Sequence, residues 1–222
     1  MHQTPAHDKH SLDPPGLMPT QARCMIEAGC SVGALARAYK KLNPSCRYVG
    51  IEIEPAYARL ASQYCDVVHT WDIETLDATR IRESLTADCW LFGDVREHIR
   101  DPWSLLSAVR ASTPADGCVV ARIPSAQHWR VQLRLNNGEL RYEDAGLLDL
   151  THLRWFTRRT IIELFEGSGL RFEAGASRIV PHPARERLLA GIRALAATIG
   201  TNPEAAVSDA LPTQYVVCGV PA

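Results

Sequence analysis

Apolar residues come along this chain in short, nearly continuous blocks: CMIEA at 24–28, RYVGIEI at 47–53, DVVHT at 66–70, CWLFGDV at 89–95 and CVVARI at 118–123. Blocks this short, rich in β-branched and aromatic residues, read as strands buried on both faces. The stretches between them have helical spacing. Residues 32–41 put Leu35, Ala36 and Tyr39 on one face, and Pro55 opens a helix through about Tyr64, a position proline suits. A further helix starts near Pro102. Another, over 157–167, carries Ile161, Ile162, Leu164 and Phe165, with Thr157 or Arg158 at its start. Strands alternating with helices predict a parallel sheet covered on both sides, and right-handed crossovers make it a doubly wound α/β, Rossmann-like domain. Beyond 170 the pattern changes to a strand at 171–180, a helix at 184–199 and a closing strand, QYVVCGV, at 214–220. Two late strands without regular βαβ spacing predict that one pairs antiparallel. The helix at 184–199 either covers the site or meets a second subunit in a homodimer.

Composition narrows the class. The chain has 222 residues, 46% hydrophobic and 22% charged, which suits one soluble globular domain. Residues 1–20 are rich in Pro, His and Asp without periodicity and are expected to form a flexible arm, leaving 21–222 as the domain. Twenty-four basic residues against 25 acidic ones give a net charge of -1, which argues against a broad nucleic-acid-binding surface. There is no apolar run of membrane-spanning length and no signal-peptide core at the start, so the cytoplasm is the expected location. The seven cysteines, Cys24, Cys30, Cys46, Cys65, Cys89, Cys118 and Cys218, show no CxxC spacing and are expected to be reduced, mostly structural thiols.

Candidate chemistry gathers where the first strands end. The first runs into Glu27-Ala28-Gly29-Cys30-Ser31-Val32-Gly33, with a helix beginning there; glycines allow close backbone approach and left-handed conformations. The second ends in Glu52-Ile53-Glu54-Pro55, about 20 residues on, where a carboxylate can accept from ribose hydroxyls. Trp71-Asp72-Ile73 puts another acid after the third strand. Ligands of doubly wound sheets sit on this rim. The two glycines, Gly29 and Gly33, fall short of the three-glycine dinucleotide fingerprint, which disfavours NAD.

The segments MIEAGCSVGAL, YVGIEIEP, TWDIETLD and LFGDVREHIRDPWSLL resemble the successive motifs of class I S-adenosylmethionine-dependent methyltransferases, from about Cys24 to the end of the chain. The resemblance implies a seven-stranded sheet with its last strand antiparallel and S-adenosyl-L-methionine as cofactor. It further implies that Glu27, Gly29, Cys30, Ser31 and Gly33 lie along the methionine part and that Glu52, followed by Ile53, holds the ribose. Asp72 and Ile73 would border the adenine, and Asp94 would face the methionine moiety or the acceptor. The family has glycine where Ser31 stands, which puts turnover in question and leaves a second reading, a cofactor-binding module without activity.

Methyl transfer to a hydroxyl or amine needs a nucleophile held in line and a group to take its proton. Asp94-Val95-Arg96-Glu97-His98 follows the fourth strand directly. No spacing supports a metal site, although Asp94, Glu97 and His98 could serve a metal-assisted enzyme. The connection 125–156 is long for this fold, and long insertions are often functional. It carries His128, Trp129, Tyr142 and His152-Leu153-Arg154-Trp155-Phe156. His128 and His152, then His98, are the candidate bases or acceptor contacts. The aromatics Trp129, Trp155 and Phe156 read alternatively as a satellite core. The run from IPSAQHWRVQLRL to THLRWFTRRTIIELFEGSGL is similar to a bacterial branch found with glycosyltransferases and polysaccharide genes, which implies a glycan or other small-molecule hydroxyl as acceptor.

Overall fold

The computed structural model describes residues 17–93, 98–183 and 185–222. Seven strands form one sheet: β1 (Cys24–Ala28), β2 (Arg47–Ile51), β3 (Val67–His69), β4 (Cys89–Gly93), β5 (Cys118–Pro124), β6 (Leu170–Ile179) and β7 (Pro212–Pro221), in the order β3-β2-β1-β4-β5-β7-β6. The strand order reverses between β1 and β4, which is where such sheets bind ligands. The pairs among β1 to β5 are parallel, and β7 inserts antiparallel between β5 and β6. The antiparallel closing strand matches the expectation from the chain's late pattern.

Each buried strand sends alternate side chains to opposite faces. Ile26, Ala28, Val49, Ile51, Trp90, Phe92, Val119, Ala121 and Val217 enter one core layer. Met25, Tyr48, Cys89, Leu91, Val120, Val216 and Cys218 enter the other. The strands therefore read as near-continuous apolar runs. Helices α1 (Ala34–Leu42), α2 (Pro55–Ala61), α3 (Ala78–Ser84), α4 (Pro102–Ser112) and α6 (Arg158–Gly167) connect or cover them. Side chains cap most of these helices: Glu54 for α2, Asp77 for α3, Asp101 for α4 and a Thr157–Thr160 capping box for α6. Leu17 and Met18, assigned from sequence to the arm, pack against the second layer, and the Tyr39 hydroxyl donates to the Pro19 carbonyl.

Three helices differ from expectation. The connection after β5 is not bare loop: α5 (Trp129–Asn136) occupies its first part. α7 (Arg185–Thr198) is followed by α8 (Pro203–Ala210), and α3 also went unforeseen. α3, α5 and α8 span only seven or eight residues each, and the apolar residues of α5 alternate as in a strand, so none has a sustained apolar stripe to announce it. The aromatics of the connection also separate. Trp129 joins Leu189 and Ala210 in a small third cluster that binds α5, α7 and α8. Phe156 instead enters the main core, where its backbone bridges Ser125, and Trp155 stays on the surface.

Because Trp129 is the largest side chain tying α5 to α7 and α8, Trp129→Ala is expected to cost this layer about 3–5 kcal/mol of local stability. Hydrogen exchange should show α7 and α8 losing protection before the sheet does. Equal loss throughout the sheet would mean that the cap is not a separate layer.

Candidate functional site

The β1-to-α1 turn is built by three left-handed residues. Gly29 has φ 71°, Ser31 φ 47° and Gly33 φ 77°, and Ser31 is the one non-glycine residue with positive φ among the described residues. A side chain costs on the order of 1 kcal/mol in that conformation. The family's glycine at position 31 therefore has a backbone reason, and serine meets the same backbone demand with strain. The Gly29 and Cys30 N–H groups both donate to the Ile51 carbonyl, at 2.8 and 3.1 Å. A Cβ on Gly33 would lie 2.9 Å from the Ala61 Cα, so the turn packs directly on α2.

Glu52 secures this turn. Its Oε2 accepts from the Ser31 N–H at 2.8 Å and its Oε1 from the Glu54 N–H at 2.9 Å. The side chain is only 7% exposed. Each carboxylate oxygen has two lone pairs, so both can still accept from a ribose diol. Ile53, next in the chain, is 50% exposed and offers an apolar surface on the rim. Asp72 caps the 3₁₀ turn Ile73–Thr75 by accepting from the Glu74 N–H at 3.0 Å. The Ile73 side chain points into the main core and presents only backbone to a ligand. Trp71 stacks on His69 with centroids 3.9 Å apart, and Arg80 lies 4.3 Å from its ring centre, which closes the end of β3. At the end of β4, a Cβ added to Gly93 would meet none of the described residues within 4 Å. Asp94, the next residue, lies outside the described residues.

Cys30 and Glu27 turn inward. The Cys30 sulfur sits over Gly50, 2.6 Å from where a Cβ would be, with the Cys65 sulfur 3.3 Å from the same point. The neighbouring Cys65 thiol and burial hold the Cys30 thiol far above its ordinary pKa, so it acts as packing. All seven cysteines are free. Glu27 is wholly buried and accepts from the Tyr48 hydroxyl at 2.8 Å. Burial pushes its carboxyl up to about 7, while the Tyr48 hydrogen bond and the Arg122 charge pull the other way. Tyr48 and Arg122 were not foreseen. The available signal was an arginine inside the otherwise apolar strand CVVARI.

The three histidines do not share one environment. His98 stands five residues beyond Gly93, within roughly 18 Å of extended chain. Its ring meets that of His152 edge-on at 5.0 Å, and His152 in turn meets Trp155 at 6.1 Å. His98 Nδ1 lies 3.1 Å from the Thr151 carbonyl oxygen. The structure thus pairs two candidates that lie 54 residues apart in sequence. His128 is placed differently. It is 2% exposed and caps α5, its Nδ1 accepting from the Arg130 N–H at 3.3 Å. Burial, with Arg130 nearby, pushes its pKa down to about 4, so it stays neutral at pH 7.

Residues 9–174 match a family model described as a methyltransferase domain. The chain belongs to this methyltransferase family. Solved structures agree on the fold. Magnesium protoporphyrin IX methyltransferase from Synechocystis PCC 6803, with bound S-adenosylhomocysteine, is 12% identical at a TM-score of 0.59, over 91% of this chain and 76% of that one. A methyltransferase from Thermotoga maritima, described as a possible histamine N-methyltransferase, is 17% identical at 0.58, over 92% and 83%. Mitomycin 7-O-methyltransferase is 17% identical at 0.52, over 90% and 49%. At these identities the likeness speaks to fold alone. No curated protein matches the chain. The residues on the rim fit S-adenosylmethionine: a strained glycine turn, a carboxylate with spare lone pairs and an exposed apolar side chain.

Glu27 gives the site a measurable pH signature. Its folded pKa is raised, so the stability it allows is full below the unfolded value of 4.5 and is lost as pH rises through 7. Between pH 5 and pH 8 this should remove about 2–3 kcal/mol of stability. Urea denaturation at pH 5 and pH 8 should show that loss in the native protein and not in Glu27→Gln; equal losses in both would remove Glu27 as its source.

Proposed function

We propose that the protein is an S-adenosylmethionine-dependent methyltransferase acting on a hydroxyl of a small molecule or glycan. The observation that carries this reading is the Glu52 carboxylate at the end of β2, held by the Glu54 amide and by the Ser31 amide of the neighbouring β1 turn, with Ile53 exposed beside it. Glu52 binds the ribose, Ile53 and the backbone around Asp72 border the adenine, and the 29–33 turn follows the methionine part. Bound S-adenosylmethionine supplies an electrophilic methyl on a sulfonium, which leaves as a neutral thioether.

The acceptor side is the His98–His152 pair with the segment around it. The acceptor oxygen forms the bond to the methyl carbon as the carbon–sulfur bond breaks, and its proton passes to an imidazole of the pair. Trp155, 37% exposed against His152, and exposed Leu150 and Leu153 give flat apolar surface for the face of a sugar or aromatic ring. The mitomycin enzyme methylates oxygen on the same fold, which makes oxygen chemistry reasonable here. The free thiols suit a reducing compartment such as the cytoplasm, and no helix among the described residues is long and apolar enough to cross a membrane.

Calorimetry and turnover on an acceptor panel test this together. Glu52→Ala should weaken cofactor binding tenfold or more, about 1.4 kcal/mol. His152→Ala should lower kcat by roughly 10²–10⁴ with little change in cofactor affinity. If both substitutions weaken only cofactor binding, the acceptor assignment is wrong. No binding of S-adenosylmethionine or its demethylated product at millimolar concentration would sink the enzyme reading. Binding without turnover would favour a module that kept the fold alone.

A further inference from the structure

The segment after α5 has little regular structure, yet it buries a carboxylate. Asp149 is 3% exposed and lies on a stretch whose backbone makes only an isolated bridge, Glu143 to Asp149. A buried charge is costly unless it is well bonded, so its partners show what it holds in place. Its Oδ1 accepts from both the Thr151 N–H, at 2.8 Å, and the Thr151 hydroxyl, at 2.6 Å. The His152 N–H donates to the Asp149 carbonyl at 3.0 Å, which completes a tight turn over 149–152. Burial alone would raise the Asp149 pKa, but the Thr151 bonds and the nearby His152 and His98 hold it below the ordinary carboxylate range. Asp149 is therefore an anion facing both histidines.

The turn has a chemical consequence at His98. The Thr151 carbonyl lies 3.1 Å from His98 Nδ1, and a carbonyl oxygen can only accept. Nδ1 must carry a hydrogen, so the neutral ring has its lone pair on Nε2. The carbonyl's direction is set by Thr151, and Thr151 is set by Asp149. We propose that Asp149 is a positioning residue for methyl transfer: through the Thr151 carbonyl it fixes the tautomer and orientation of His98, so that Nε2 takes the acceptor's proton. This rests on reading the His98–His152 pair as the acceptor side. In the step, the acceptor O–H bond breaks and its proton goes to His98 Nε2. The oxygen–carbon bond forms as the carbon–sulfur bond of the donor breaks. The positive charge leaving the sulfonium is thereby replaced by one on the imidazolium, which the Asp149 carboxylate favours.

A purely structural aspartate would need only its hydrogen bonds, which asparagine can also accept. Asp149→Asn therefore separates charge from geometry, and Asp149→Ala removes both. Among the described residues, His152 and Asp149 are the titratable groups near His98; Arg154, on the same segment, is turned to the Arg100 carbonyl and the Trp103 ring. Long-range ¹H–¹⁵N spectra of the full chain, with the His98 signals assigned by their loss in His98→Gln, read the tautomer without any acceptor. The native ring should carry its hydrogen on Nδ1. Asp149→Asn, which can still accept both Thr151 bonds, should keep that tautomer, and Asp149→Ala should mix the tautomers. In turnover, Asp149→Ala should lower kcat about tenfold or more with cofactor affinity unchanged, and Asp149→Asn should restore most of it.

A native His98 with its hydrogen on Nε2, or an Asp149→Ala ring that keeps the native tautomer unmixed, would overturn the proposal. If Asp149→Ala does not fold, the same comparison in Thr151→Val, which removes the hydroxyl bond to Asp149, decides it. Should the spectra behave as expected while His98→Gln keeps full turnover, the positioning of His98 stands and its part in catalysis falls.

Discussion

A single carboxylate joins the two turns on which the cofactor rim depends. Glu52 sits where β2 ends and bonds the first amide of α2's approach on one side and the Ser31 amide of the β1 turn on the other. Without it two backbone N–H groups at a partly buried rim would lose their partner, at a cost of about 1–3 kcal/mol each where water cannot replace it. In the function proposed above, the same oxygens receive the ribose, so the side chain that holds the two turns in shape is also the one assigned to the ligand.

Much of this was legible in the sequence, for a definite reason. Strands buried on both faces must be apolar throughout, and all of them stood out as blocks, down to the closing QYVVCGV. The glycine turn and the acids Glu52 and Asp72 were legible because chain order fixes which strand end each follows. The cap was not. Helices α5 and α8 are held by a few residues, Trp129, Leu189 and Ala210, drawn from three separate places, and no local periodicity records that meeting. The long connection after β5 was correctly marked as unusual, but its aromatics divide between the third cluster, the main core and the surface.

The histidines follow the same rule. Three were legible as candidates, with His128 and His152 placed ahead of His98. Contacts across the chain make the difference: His128 caps a helix in a dry environment, whereas His98 and His152 meet only because the turn held by Asp149 lies against the segment after β4. Ser31 is a similar case. Its departure from the family's glycine could have meant crowding of the ligand, but the left-handed backbone shows that the cost falls first on the chain itself.

The placement of β7 has a consequence for how the protein is made. β6 has a single sheet neighbour, β7, and the chain between them, 180–211, includes α7 and α8. On the ribosome, β6 therefore emerges as an edge with nothing to pair with until both helices and β7 have followed. During that interval β5 also presents an unpaired side, because its partner on that flank is the same strand. Two open edges at once invite pairing with other chains. Rapid collapse of α5 onto α7 would shorten the interval by bringing the returning strand close to its slot.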